Sequence, residues 1–416
     1  MTGRRVVATG LGALTSIGHN VPDFWRSILD KRSGIGPIES FDASMLTSQI
    51  AGEVRGFDAA EVLGPREARH LDRFTQFAIV AGDEAMADAG LDPRATGGNT
   101  SRYGVVVGTG IGGLHEIEAQ HRRLMERGAN RVQPYMIPKL MANACSGQLA
   151  IRYGLHGPNC VVSAACASAT VAIAEAVQMI VHGEADVVIT GGTEAAVSPL
   201  SVGGFCAARA LSKRNDDPER ASRPFDKDRD GFVMGEGAGL IVLESYEHAR
   251  KRDAQIYAEI IGYGLSCDAF DIVQPEPEGK GAAMALRDAL KNAEIDPTEV
   301  DYINTHGTST LLGDVAETKA INRVFGDHAK KLAVNSTKSY VGHLLGGSGG
   351  VEMVATLMEI RHGVLHPTLN LDEPDPECNL DYIPGDVREH KTHVALSNSF
   401  GFGGHNATVV VKAFEE

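Results

Sequence analysis

Short runs of β-branched and other apolar residues, each stopping at glycine or a small polar residue, alternate along the chain with stretches of helical periodicity. Five such runs precede about residue 255: Val6-Val7-Ala8, Tyr103 to Val107, Val161-Val162, Asp186 to Ile189 and Leu240 to Leu243. Strands separated by helical patterns predict an α/β fold. The series then restarts with Ala258 to Ile261, Asp301-Tyr302-Ile303, Leu332-Ala333-Val334, Val394-Ala395-Leu396 and Thr408 to Val411. The repeat is one of element order rather than of residues, and it predicts a duplicated fold with halves 1–255 and 256–416. No Pro/Ser-rich linker separates the halves, so they should share one interface.

Composition adds further constraints. Of 416 residues, 43% are apolar and 22% charged, enough to build a large core. The 48 glycines exceed the usual share of about 7% and imply many tight turns and close backbone approaches. With 39 basic against 54 acidic residues, the net charge of −15 argues against general binding to nucleic acid or to an anionic membrane surface. An acidic partner would need a local basic patch. The six cysteines include no C-x-x-C pair and no zinc-like Cys/His spacing, which fits a reducing compartment. The longest apolar stretch, Ala167 to Val181, is interrupted by Glu175, so no membrane span is expected. Arg4-Arg5 faintly resembles a twin-arginine signal, but Val6 to Ile17 is broken by Gly10 and Gly12 and reads as the first strand.

Three motifs invite chemistry and have plainer readings. Gly108-Thr109-Gly110-Ile111-Gly112-Gly113 follows a strand and fits the dinucleotide fingerprint G-x-G-x-x-G. The ribose-binding acid expected on a second strand is missing, because Gly113 to Arg131 reads as a charged helix; a close-approach loop lining a pocket is the preferred reading. Asp226 to Gly231 copies the first half of a calcium loop, but its twelfth position is Gly237, so a hydrogen-bonded turn is expected. Gly346-Gly347-Ser348-Gly349-Gly350 has nucleophile-elbow spacing without a strand running into it, and reads as helix packing.

Cys166 is different. The strand Val161-Val162 leads through Ser163-Ala164-Ala165 into it, and an alanine-rich helical pattern, Ser168 to Val181, begins at once. A helix N-terminus favours thiolate over thiol, which is how a cysteine becomes a nucleophile near neutral pH. The alternative, a small buried core residue, is applied to the other five cysteines. Two histidines support the nucleophile. His306 ends the strand Tyr302-Ile303-Asn304, and His343 follows Lys338 by five residues. Strand ends of two duplicated halves can converge on one crevice, so a long separation in sequence is no obstacle.

Cys166, His306-Gly307-Thr308, Lys338 through Gly342-His343, and Asn398-Ser399-Phe400-Gly401-Phe402-Gly403-Gly404 together resemble the elongating β-ketoacyl-acyl carrier protein synthases, nearest to the type II condensing enzyme. The likeness extends over nearly the whole chain and takes in Arg223 to Phe232. It implies a thiolase-like fold of two similar βαβαβ halves in an α-β-α-β-α layering, and normally a cytoplasmic homodimer. It also implies decarboxylative condensation of an acyl-ACP with malonyl-ACP in fatty acid elongation, an acyltransferase reaction that needs no cofactor and no metal. The partners so implied are acyl carrier protein (ACP) and its acyl and malonyl thioesters, with no nucleic acid and no membrane.

By the same resemblance, Cys166 carries the acyl group, and His306 and His343 hold the enolate oxygen. The N–H groups of Cys166 and Phe402 form an oxyanion hole, and Phe402 gates access. Lys338 acts through its charge, paired with Glu352. Thr308 and Thr310 bind pantetheine, and Ile111 shapes the acyl pocket. Asp314 and Glu317, in D-x-x-E, read instead as a capping box. Ala269-Phe270-Asp271-Ile272-Val273 departs from the usual Ala-Tyr-His-Met-Thr, and Ala167-Ser168-Ala169 replaces a stretch that commonly contains glycine. The acidic carrier would dock on Arg66, Arg69, Arg209, Lys213 and Arg214. An aromatic polyketide ketosynthase subunit, working with a chain-length-determining partner, is the alternative. A thiolase would need a second catalytic cysteine, and Cys378 lies in a turn-like context.

Overall fold

The computed structural model describes residues 3–96 and 98–415. Ten strands form its main sheet: β1 Val6–Leu14, β2 Tyr103–Gly108, β3 Asn159–Val162, β4 Val187–Glu194, β5 Gly237–Ser245, β6 Ala258–Cys267, β7 Tyr302–Asn304, β8 Ala333–Asn335, β9 Val394–Gly401 and β10 His405–Ala413. Their spatial order is β8-β7-β9-β10-β6-β1-β5-β4-β2-β3. Read outward from the centre, β1-β5-β4-β2-β3 and β6-β10-β9-β7-β8 are the same arrangement built twice. The sense of pairing repeats as well. The outer strands β4-β2-β3 and β9-β7-β8 are parallel, and β5 and β10 run against their neighbours. The halves join where Val6 to Ala8 of β1 pair antiparallel with Ala258 to Ile260 of β6.

Six helices account for the layering: α1 Arg73–Asp88, α2 Ala144–Tyr153, α3 Ser168–Val181, α4 Lys280–Ala293, α5 Leu311–Phe325 and α6 Ser348–His362. Successive side chains of a strand point to opposite faces, and here both faces are covered. Val105 and Val107 of β2 pack with Phe77 of α1 and Leu149 of α2, whereas Val106 between them packs with Ile173 and Val177 of α3. In β10, Val410 meets Leu286 of α4 and Ile321 of α5, while Val409 and Val411 join the cluster of Val354 and Leu357 from α6. Helices α3 and α6 therefore form the middle layer of an α-β-α-β-α sandwich. Double burial explains why the strands read as uninterrupted apolar runs.

The glycine run at the start of α6 serves this close packing. A Cβ on Gly349 would lie 2.2 Å from Thr170 Oγ1, and one on Gly350 2.2 Å from the Gly239 carbonyl oxygen. The ends of β2, β3, β7 and β9, and the loop after β8, all open onto one crevice between the halves.

Candidate active site

That crevice has a volume of about 530 Å³, and its lining includes Cys166, His306, His343, Thr308, Thr310, Ile111 and Phe402. Cys166 arrives there through a strained turn. Ala165 has φ of 49° in the left-handed region. Ser168 Oγ accepts from the Ala164 N–H at 2.8 Å and donates to the Ala165 carbonyl at 2.6 Å. Gly401 closes over this turn: a Cβ there would stand 2.8 Å from the Ala164 carbonyl oxygen and 3.0 Å from the Cys166 nitrogen. The helix that follows begins at Ser168, as its sequence pattern predicts.

The protonation state of Cys166 corrects the sequence expectation. Burial pushes the thiol up to about 12; the Lys338 charge and the backbone N–H of Phe402 pull the other way without prevailing. The resting group is a thiol, and a helix N-terminus by itself does not make it a thiolate. Of the six cysteines, Cys166 alone borders the crevice; Cys378 is buried in the core of the other half, in a turn closed by its N–H on the Asp375 carbonyl at 2.8 Å.

His306 leaves β7 on a loop held from below by two buried carboxylates. Glu317 accepts from the backbone N–H groups of His306 (2.9 Å) and Gly307 (2.8 Å), and Asp314 accepts from those of Thr308 (3.1 Å) and Phe225 (2.8 Å). Burial raises Glu317 to about 7 and Asp314 to about 6. The capping-box reading of these two residues is therefore wrong: α5 is preceded by Thr310 without a side-chain cap, and the acids serve a neighbouring loop. Arg229 fixes the next residues, donating to the carbonyls of Thr310 (3.0 Å) and Leu311 (2.8 Å). The hydroxyls of Thr308 and Thr310 lie 3.0 Å apart at the crevice wall.

His343 is anchored by backbone and side chain. Its N–H donates to the Val233 carbonyl at 2.7 Å, and its Nδ1 lies 2.9 Å from Ser348 Oγ, which accepts from the Leu344 N–H. That contact leaves Nε2 free. Burial first, then the Lys338 charge, hold the pKa of both imidazoles well below the usual histidine value, and for His306 the proximity of His343 adds to this. Both rings are neutral near pH 7. Lys338 does not line the crevice. It is 1% exposed behind the histidines, where Nζ donates to the equally buried Glu352.

The G-x-G-x-x-G loop shows why it takes no phosphate. Glu194, at the end of β4, accepts from Thr109 Oγ1 (2.9 Å) and from the N–H groups of Gly110 (2.7 Å), Ile111 (3.2 Å) and Gly112 (3.3 Å). An internal carboxylate fills the place of an anion. Asp226 is similarly occupied, by Arg223 and the N–H groups of Asp228, Asp372 and Glu373, which makes the calcium-like segment a hydrogen-bonded turn.

Asp271 is exposed and accepts from the N–H groups of Val273 and Gln274, while the Ile272 carbonyl accepts from the Gly403 N–H at 2.8 Å. The departing segment 269–273 thus braces the Phe402 loop. Of the five basic residues, Arg66, Arg69, Arg209 and Lys213 are exposed, and Arg214 donates to the Asp228 carbonyl. Arg209 borders the mouth of the crevice. Glu67, the alternative partner for the first pair, is taken by Arg152 at 2.9 Å. Sequence reading missed Glu194 and Arg229 and misread Asp314 and Glu317. The available signal was an acid ending the buried run Val187 to Glu194.

Residues 3–249 match the beta-ketoacyl synthase N-terminal domain family and residues 257–372 the C-terminal domain family. The chain is similar to proteins named 3-oxoacyl-[acyl-carrier-protein] synthase 2. It is 52% identical to that of Synechocystis sp. over 412 residues, 99% of each chain, and 49% identical to that of Coxiella burnetii over 411 residues, again 99% of each. Among solved structures, a type II polyketide ketosynthase in complex with its acyl carrier protein superposes with a TM-score of 0.92 at 34% identity, covering 100% of both chains. A beta-ketoacyl synthase from Burkholderia phymatum gives 0.91 at 34% identity, covering 99% of this chain and 100% of the other.

Proposed function

The chain belongs to the β-ketoacyl synthase family, and we propose that it condenses an acyl-ACP with malonyl-ACP through a thioester on Cys166. The products are β-ketoacyl-ACP, free ACP and CO2, the elongation step of fatty acid biosynthesis. The observation that carries this reading is the convergence of one nucleophile and two neutral imidazoles on a single pocket, backed by the Lys338–Glu352 pair.

In the first half-reaction the Cys166 sulfur attacks the acyl carbonyl. A new S–C bond forms, the bond to pantetheine sulfur breaks, and the thiol proton leaves with the pantetheine. Covalent capture divides one difficult step into two. The N–H groups of Cys166 and Phe402 stabilise the tetrahedral oxyanion, a role supported by the contact of the Phe402 N–H with the sulfur. In the second, the malonyl C–C bond to carboxylate breaks, CO2 departs, and the electron pair forms an enolate whose oxygen accepts from His306 and His343. That carbanion equivalent attacks the acyl carbon, and the released Cys166 sulfur takes up a proton from solvent. Neutral imidazoles suit the task, since they donate hydrogen bonds without adding a competing charge. Lys338 biases both histidines electrostatically, Thr308 and Thr310 receive the pantetheine arm, and Ile111 and Phe402 bound the acyl site.

Incubating the purified chain with an acyl-ACP is expected to add the acyl mass to the tryptic peptide containing Cys166. No adduct would refute the reading. The alternative role in aromatic polyketide synthesis has weaker support: the type II polyketide ketosynthase is 34% identical, against 52% and 49% for the 3-oxoacyl-ACP synthases. We further infer two units meeting near residue 255 and a homodimer joined along β3. That strand ends the sheet, and the same half exposes Ile137, Met141 and Ile151. A cytoplasmic location accords with six free thiols, and no helix among the described residues is long and apolar enough to cross a membrane.

A further inference from the structure

Glu194 makes more contacts with the site than any role above requires. Besides the Gly108–Gly113 loop, its Oε2 accepts from the Gly346 N–H at 3.1 Å. Gly346 lies in the other half, three residues beyond His343 and two before Ser348, the serine bonded to the His343 ring. One fully buried carboxylate is thus shared between the loop that carries Ile111 to the crevice and the segment that carries His343. Both segments are tied to the same oxygen, Oε2. A Cβ on Gly346 would lie 2.1 Å from the Gly110 nitrogen and 2.7 Å from Glu194 Oε2, so the two backbones touch across the interface of the halves. The loop also abuts the nucleophile turn, where Ser163 Oγ donates to the Gly110 carbonyl at 3.3 Å.

We propose that Glu194 is a positioning residue that sets acyl-chain preference through Ile111 and the placement of His343 through Gly346. The inference rests on the function proposed above. A carboxylate can accept from four or more donors at once, which a neutral amide cannot, because one of its two heads is itself a donor. Glu194→Gln keeps the volume and removes that capacity. It turns an NH2 group toward either the Gly110 and Gly346 pair or the Thr109, Ile111 and Gly112 set. The segment facing the amide nitrogen loses its anchor.

The test uses the full-length protein with a series of acyl-ACP donors from short to long. For Glu194→Gln, kcat/KM for the least-favoured donor relative to the best is expected to change by about tenfold, the scale of one charged hydrogen bond. Malonyl decarboxylation should fall by a similar factor, while melting temperature and the fraction of protein that can be acylated stay near wild type. Acting through Ile111 has a sharper signature: in an Ile111→Ala background the added Glu194→Gln change should leave chain-length preference unaltered, because the coupled residues are not additive. Should Glu194→Gln fail to fold, Thr109→Ala removes one donor to the same carboxylate and should shift preference in the same direction by less. A uniform loss across all donors, or independent effects in the double variant, would overturn the proposal. Failure of the wild type to acquire any acyl group on Cys166 would instead overturn the assigned function, so the two failures are distinguishable.

Discussion

The rings of His306 and His343 stand 5.3 Å apart, centroid to centroid, and nearly perpendicular at 86°. Two neutral donors at that separation can meet one oxygen from two directions, a geometry suited to an enolate and poorly suited to a proton relay. Alanine at either position is expected to slow malonyl decarboxylation by about 100- to 1,000-fold, the usual effect of removing one oxyanion donor. Acylation of Cys166 from acyl-ACP should fall far less. Comparable loss of both half-reactions would mean that a histidine serves as base for the thiol.

The same pair predicts a pH response. Both folded-state pKa values are depressed, so between pH 8 and 6 the imidazoles stay neutral and decarboxylation should not decline with a midpoint near 6.5. Stability behaves otherwise. Below about 6.5 the unfolded chain takes up protons that the folded histidines refuse, so each contributes a loss of roughly 1.4 kcal/mol per pH unit on acidification. Glu317, raised to about 7, acts in the opposite sense over the same window. The measurable quantity is therefore the difference: urea midpoints of His343→Ala should fall less steeply from pH 6.5 to 5.5 than those of wild type.

Cys166 should behave as a protected thiol. With its pKa pushed up to about 12, the rate of alkylation by iodoacetamide, followed on the Cys166 peptide, is expected to rise about tenfold per pH unit from 6 to 9 without levelling. A plateau beginning near pH 7 would indicate a preformed thiolate. Cys166→Ala should abolish condensation with the fold intact, since a single sulfur atom is removed.

Lys338 and Glu352 are 1% and 2% exposed and bonded to each other. Removing only the acid leaves a buried ammonium uncompensated, so Glu352→Ala should cost on the order of 3 to 5 kcal/mol in urea unfolding. Replacing both, as Lys338→Met with Glu352→Leu, should recover most of that stability without restoring decarboxylation. Recovery of activity in the double variant would show that the Lys338 charge is dispensable to the histidines.

What was legible in the sequence follows from how local each cause is. Each of the ten apolar runs falls on one of the ten strands, with only Asp186, Asp301 and Leu332 lying one residue ahead of theirs, because burial on both faces writes an uninterrupted local signal, and α3 begins and ends where its pattern does. The residues that line the crevice and are assigned to the chemistry were readable because each follows the end of a strand or a glycine turn. The carboxylates behind them were not. Asp314 and Glu317 satisfy a capping pattern three residues apart, and only the fold reveals that their oxygens turn to the His306 loop. Glu194 bonds residues more than 80 positions away on one side and 152 on the other. The Cys166 shift has the same origin: the helix start is local, whereas the burial that dominates comes from packing of both halves.

Docking of the carrier gives the last prediction. ACP is acidic in this family, and a chain of net charge −15 repels it at long range unless a basic patch focuses the approach. Arg66, Arg69, Arg209 and Lys213 are exposed, and no ion pair is formed by them or by Arg214 among the described residues. Arg209 is the member at the crevice mouth, where a phosphopantetheine arm would enter. An exposed pair with a nearby acid contributes little to stability, so reversing two of these charges, as Arg66→Glu with Lys213→Glu, should leave the melting temperature unchanged. The KM for acyl-ACP is expected to rise through slower association, and the gap between variant and wild type should narrow as salt increases, because screening removes what the patch contributes. Acylation of Cys166 from a small pantetheine thioester should be unaffected. Equal impairment with both donors, or none with either, would show that the carrier docks elsewhere.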